Sequence, residues 1–318
     1  MNTDKSLDLC LKMSNLSYSA QNAICESNFK QHGPFWHLYT NGQTMQNIFC
    51  SKEDFKIGLI ALAISLIMCK SVKLLAFELM SNHIHLILSG TKEECMELFN
   101  IFYKRLRLIY SKLGRAIDWN SFKADILPID SLDSLRNEII YTHRNAYVAN
   151  GNFNPFSYPW GSGCAYFNHW TETVQTIDFK DLPLRIQREL THSRDVAPYG
   201  HLRMCGDNLF IPSFCSVKLG ESMFTDSRSY FNLLTRKAEA YSAIAARLKD
   251  SVFLTDDEIF HVTLSYCREK SGVANLSLLS PEQRIEVARE IHFKYKATHQ
   301  QIRRLLRLDT NLLNEILA

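Results

Sequence analysis

Hydrophobic positions along the chain recur at two spacings, and each marks a different element. Phe35-Trp36-His37-Leu38-Tyr39-Thr40 is dense in aromatic and β-favouring residues and closes on Asn41-Gly42, which predicts a first strand. Ser51-Lys52-Glu53-Asp54 is capping-box-like and predicts a helix to about Lys70. Val72–Leu79 and His83–Ser89 predict two more strands, joined as a hairpin across Ser81-Asn82. Thr91-Lys92-Glu93-Glu94 is a full capping box. It opens a helix to about Leu113 whose apolar positions, Met96, Phe99, Tyr103, Leu106, Tyr110 and Leu113, recur at threes and fours. Phe122–Ile129 predicts a fourth strand, and Ser131-Leu132-Asp133 starts a helix that carries Leu135, Ile139, Ile140 and Tyr141 to about Ala149. Residues 1–34 are polar, an irregular or partly helical lead-in.

The order through residue 149 is strand-helix-strand-strand-helix-strand-helix. It predicts an α+β fold: a ferredoxin-like βαββαβ core, an antiparallel sheet with helices on one face, and one helix appended. Loops follow at Asn150–Pro155 and Tyr158–Gly163. Residues 166–270 read as mixed and mainly helical, with a loop rich in Gly, Pro and Cys from about 196 to 215. Helices follow over about Ser227–Leu248 and Asp256–Lys270. Ser280-Pro281-Glu282-Gln283 caps a helix to about Lys296, Thr298 caps one through Leu306, and Asp309 caps one to Leu317. These short helices carry Arg303, Arg304 and Arg307 and predict a helix-turn-helix within 271–318, which can bind DNA or serve as a packing module. The expected divisions are a lead-in to residue 34, a core domain over 35–165, the mixed region, and the terminal helices.

Charge and cysteine usage narrow the classes. The net charge of +3 is too small to mark the whole chain as a nucleic-acid binder, so any basic surface must be local. Nine cysteines are scattered with no Cys-x-x-Cys pair, which argues against a disulfide framework or zinc knuckle and fits the cytoplasm. The first thirty residues lack a signal-peptide pattern. The most apolar run, Ile57–Cys69, falls short of the ~20 residues that cross a bilayer, so no membrane association is expected.

Three features carry chemistry. In a strand His83 and His85 point to the same face, which makes either a metal platform or two half-buried histidines with hydrogen-bond partners. Lys104, Arg105, Arg107, Lys112 and Arg115 give the helix before the fourth strand a basic face, suited to a nucleic-acid backbone or simply to water. Tyr141 and Asn145 are four apart and share a helix face. A tyrosine attacks a phosphodiester only when it is positioned in line and helped to lose its proton. A cation that polarises the phosphate meets part of that need, with nitrogens available from His83 and His85 and an oxygen from Asn145.

These residues carry a resemblance. Ser81-Asn82-His83-Ile84-His85-Leu86 resembles the His-hydrophobic-His signature of the HUH single-tyrosine transposases. The Tyr141-x-His143-x-Asn145 frame is similar to the tyrosine helix of their REP-associated branch. Thr40-Asn41-Gly42 and Tyr158-Pro159-Trp160-Gly161-Ser162 extend the likeness over roughly residues 33–165. The resemblance implies a nuclease core that cuts single-stranded or hairpin DNA. His83, His85 and Asn145 would hold Mg²⁺ or Mn²⁺, and Tyr141 would become linked to the 5′ phosphate, leaving a 3′ hydroxyl. It implies a monomer or homodimer; apart from it, the scattered thiols suggest a cytoplasmic, nucleoid-associated protein, and the C-terminal helices make duplex DNA a further expected partner. Ser81 and Ala146 stand where the family usually has proline, and the region around Trp119-Asn120 lacks the family's Gly-Arg-Tyr-Lys pattern. Two other readings are open: a non-catalytic DNA-binding regulator using the C-terminal helices, and an unrelated metallohydrolase using His83 and His85.

Overall fold

A computed structural model describes residues 17–42, 47–149, 156–235, 244, 247–248, 256–273, 275–295 and 297–317. The chain divides into two compact units, Met1–Ala146 with Phe153–Thr235, and Tyr147–Asn152 with Arg236–Ala318. The division falls inside the stretch 166–270 that the sequence groups as one region. The expected loop at 150–155 and most of 236–255 lie outside the described residues.

The first unit is α+β. Its main sheet holds β1 (Phe35–Thr40), β2 (Lys73–Leu79), β3 (Ile84–Ser89) and β4 (Ala124–Ile129) in the order β2-β3-β1-β4, antiparallel throughout. Each crossover skips one strand, so β1 ends between β3 and β4. The lead-in contains helix α1 (Tyr18–His32), capped by Ser17; its buried face is reduced to Cys25, so it has no amphipathic stripe to announce it. Helix α2 (Lys52–Met68) starts at a true capping box, with Ser51 and Asp54 exchanging bonds, and is buried almost all round from Gly58 to Leu66. Helix α3 (Lys92–Lys112) starts at the Thr91–Glu94 box.

Its buried stripe is Cys95, Leu98, Phe99, Phe102, Leu106, Ile109 and Tyr110. The predicted seam is therefore rotated: Met96 and Tyr103 lie at its margin and Leu113 is exposed. Cross-strand partners share a face, so Leu38, Leu86, Phe77, Ile84 and Leu79 line one side of the sheet. Gly58 of α2 abuts Leu79, which places α2 on that side. Burying each such aliphatic side chain contributes about 1.5–3 kcal/mol. The opposite face carries His37, Tyr39, Glu78 and His85, and takes α4 (Leu132–Ala149), the appended helix.

The free edge of β2 is covered by later chain. Leu79 N–H donates to the Trp160 carbonyl (2.9 Å), Tyr166 Oη to the Leu75 carbonyl (2.7 Å), and Ser216 N–H to the Leu74 carbonyl (2.7 Å). A second, small sheet joins β5 (Ile177–Asp178), in the stretch read as mainly helical, to β6 (Arg203–Cys205) and β7 (Asn208–Leu209), where the sequence suggests a loop. Strands of two or three residues are too short to display an alternating pattern. They are held by packing Phe179, Leu202, Met204 and Leu209 on Ile60, Ala63 and Ile64 of α2. A single helical turn, Trp170–Thr173, and helices α5 (Leu184–Thr191), α6 (Val217–Glu221) and α7 (Ser227–Thr235) also belong to the unit.

The second unit is helical: α8 (Asp256–Ser271), α9 (Pro281–Tyr295), α10 (His299–Leu306) and α11 (Thr310–Ile316). It has its own core, including Ile259, Val287, Ile291, Ile302, Leu306 and Leu313. Among the described residues no helix is long and apolar enough to cross a membrane, and all described cysteines are free thiols.

Candidate active site

The His-x-His hairpin turns as its sequence suggests, with Met80 N–H donating to the His83 carbonyl (2.8 Å) across Ser81-Asn82. The strand begins one residue later than predicted, at Ile84, whose N–H donates to Thr40 Oγ1 at the end of β1 (3.1 Å). The turn is tied to the end of β1 as well: Asn82 Nδ2 donates to the Gly42 carbonyl (2.7 Å). That bond leaves Asn82 Oδ1 to accept from His83 Nδ1–H (2.8 Å). A neutral imidazole protonated at Nδ1 carries its lone pair on Nε2. Gly42 makes this possible. A Cβ there would stand 2.7 Å from His83 Nδ1 and 3.0 Å from its Cγ, so only glycine lets the ring lie over the backbone.

His85 is fully buried at the centre of the face, with Tyr39 and Glu78 as its cross-strand neighbours. The two histidine rings are 5.1 Å apart between centroids and perpendicular. Strand geometry predicts a common face with roughly 6–7 Å between them along the strand; the turn brings them closer.

Helix α4 supplies the other half. Its first turn is capped by Ser131 Oγ and anchored by Arg136, which bonds to the Met223 carbonyl, Asn22 and Asp133. Tyr141 then packs over His85, with ring centroids 5.5 Å apart at 82°. The separately predicted strand and helix therefore meet. Asn145 sits one turn further on, 9% exposed, and its Nδ2 is buried with no hydrogen-bond partner among the described residues. Among the described residues no three His, Cys, Asp or Glu side chains are grouped to hold a metal. By donor chemistry alone, Nε2 of His83 and His85 and Oδ1 of Asn145 would offer a divalent ion two borderline nitrogens and one hard oxygen.

His143, the middle of the tyrosine frame, points elsewhere. It bonds Ser162 Oγ (2.8 Å) and Tyr230 Oη (2.9 Å), and burial holds its pKa down at about 3. It is a neutral structural bridge. Tyr158 plays a similar part, donating to the Leu79 carbonyl (2.6 Å), with burial pushing its phenol above the ordinary range.

The basic residues separate into two groups. Lys104, Arg107 and Lys112 are exposed on α3. Arg105 is half-buried, donates to the Thr191 carbonyl (2.8 Å), and has its pKa lowered by desolvation. Arg115 pairs with the buried Asp54 that caps α2, and lies 5.3 Å from the Tyr110 ring centroid. Arg303, Arg304 and Arg307 are exposed on and just after α10.

Two residues of the cluster escape a sequence reading. His37 Nε2 lies 2.9 Å from His85 Nδ1, and His37 Nδ1 lies 2.7 Å from Glu138 Oε2, all three side chains buried. The signal for Glu138 is its place three residues before Tyr141 and seven before Asn145, one polar stripe along an otherwise buried helix. His37 has no such signal, because only the strand order puts β1 next to β3. No protein-family model matches the chain, and no curated protein or solved structure shows significant similarity to it.

Proposed function

We propose that the first unit is a metal-dependent single-tyrosine DNA strand transferase of the HUH type, acting on single-stranded or hairpin DNA. The observation that carries this reading is the packing of Tyr141 on His85, which itself lies beside His83. The interleaved order β2-β3-β1-β4, with crossover helices α2 and α3, supports a ferredoxin-like core. The capped helices α9, α10 and α11, with exposed arginines on and beside α10, support a helix-turn-helix that binds duplex DNA.

In this reading Tyr141 Oη attacks the scissile phosphorus. The P–O bond to the 3′ oxygen breaks, the tyrosine proton passes to solvent, and the departing 3′ oxygen takes a proton from solvent to leave as a hydroxyl. The 5′ phosphate stays on Tyr141. A divalent ion, Mg²⁺ or Mn²⁺, held by His83, His85 and Asn145, would supply charge neutralisation at the phosphate. Buried packing of Tyr141 against His85 restricts the ring to few orientations, and a fixed nucleophile is one requirement of in-line attack.

The test is incubation of the full chain with a hairpin-bearing single strand and Mn²⁺, followed by denaturing electrophoresis. A covalent adduct lost in Tyr141→Phe, with DNA binding retained, supports the reading. An undiminished adduct in that variant refutes it. Duplex binding with no adduct under any divalent ion would favour a non-catalytic regulator instead.

A further inference from the structure

The hydrogen-bond chain behind His85 has a direction. With Glu138 as the carboxylate, which only accepts, His37 Nδ1 is the donor across 2.7 Å. In a neutral imidazole the other nitrogen then carries the lone pair, so His37 Nε2 accepts from His85 Nδ1 across 2.9 Å. His85 is thereby left with its own lone pair on Nε2. That matches the polarity at His83, whose Nδ1–H is claimed by Asn82.

We infer that Glu138 and His37 are positioning residues that hold His85 in its Nδ1–H form, the tautomer whose Nε2 carries the lone pair that ligation of a divalent cation requires. This rests on the metal site proposed above, but only for the purpose of the chain, not for its polarity. Glu138 is on α4 together with Tyr141, so the same helix that carries the nucleophile also sets the ligand's protonation pattern. Carboxylate–histidine pairs behind a metal ligand commonly fix its tautomer and orientation. Here a second histidine is interposed, and all three groups are at most 2% exposed, so water does not compete for the bonds.

Glu138→Gln tests this with the shape of the side chain kept. An amide can donate to His37 Nδ1, which reverses the chain and moves the His85 proton to Nε2. Long-range ¹H–¹⁵N spectra of the full-length, metal-free protein, with ¹⁵N-histidine and His85 assigned by its loss in His85→Gln, read the tautomer directly. The expected result is Nδ1–H at His85 in the wild type and its loss or admixture in Glu138→Gln. Mn²⁺ binding followed by electron paramagnetic resonance should weaken about 10- to 100-fold in the same variant. A wild-type His85 protonated at Nε2 overturns the inference without any variant, as does a tautomer indifferent to Glu138→Gln. If the wild type takes up no Mn²⁺ while the tautomer follows Glu138, the metal reading falls and the relay stands.

Discussion

Replacing Gly42 by alanine should displace the His83 ring and disable the proposed site while sparing the fold. A Cβ at Gly42 would be 2.7 Å from His83 Nδ1, 3.0 Å from Cγ and 3.3 Å from Cε1, against the roughly 3.5–4.0 Å of ordinary approach between heavy atoms. The ring must therefore move by on the order of 1 Å. It is held by Asn82 (2.8 Å) on a turn pinned to Gly42 itself, so the shift cannot be absorbed without loosening those bonds. Overpacking of this kind costs ~1–3 kcal/mol, offset by ~0.4–1 kcal/mol from a stiffer unfolded chain. The net expectation is a stability loss of about 1–2 kcal/mol, measured by urea denaturation. Metal ligation tolerates only about 0.2 Å of error, so Mn²⁺ affinity should fall at least tenfold. Stability and Mn²⁺ affinity both unchanged in Gly42→Ala, with the His83 ring resonances unmoved, would refute the packing argument.

Other consequences can be checked independently. His143 stays neutral in the folded chain down to about pH 3, whereas in the unfolded chain it protonates near 6.5. The unfolded state then binds more protons between those values, so stability should fall as pH drops from about 6.5 towards 3. The ceiling is about 4–5 kcal/mol, and His143→Gln should flatten that slope in pH-dependent denaturation curves. Gly220→Ala should be severe, since a Cβ would overlap the Tyr166 hydroxyl that bonds the Leu75 carbonyl; a loss of ~2–4 kcal/mol is expected in thermal melting. Lys104→Ala, Arg107→Ala and Lys112→Ala together should reduce the salt dependence of single-strand binding, by a slope of about 0.7 for each phosphate no longer neutralised. Arg115→Ala should act instead through Asp54 and the start of α2, lowering stability with little change in that slope.

Much of the fold is written locally. Capping boxes at Ser51, Thr91, Ser280 and Thr298 satisfy backbone donors that every helix start exposes, so those starts are legible from three or four residues. The hairpin at Ser81-Asn82 and the spacing of Tyr141 and Asn145 are local in the same sense, and they are enough to nominate half of the site. Helix α1 and the small β5-β6-β7 sheet are not legible in this way. The first has almost no buried face, and the second consists of strands that exist because α2 offers them a surface.

What only the tertiary structure decided is which side chains share a pocket. The order of strands places β1 beside β3, and that adjacency alone brings His37 to His85 and Gly42 under His83. The same geometry turns a basic helix into two kinds of residue, with Lys104, Arg107 and Lys112 in water and Arg105 and Arg115 held by Thr191 and Asp54. The physical reason is range. Caps and turns close over three or four residues, and one chain segment contains all their partners. Sheet order and side-chain burial are settled between segments tens of residues apart, whose partners no local pattern names.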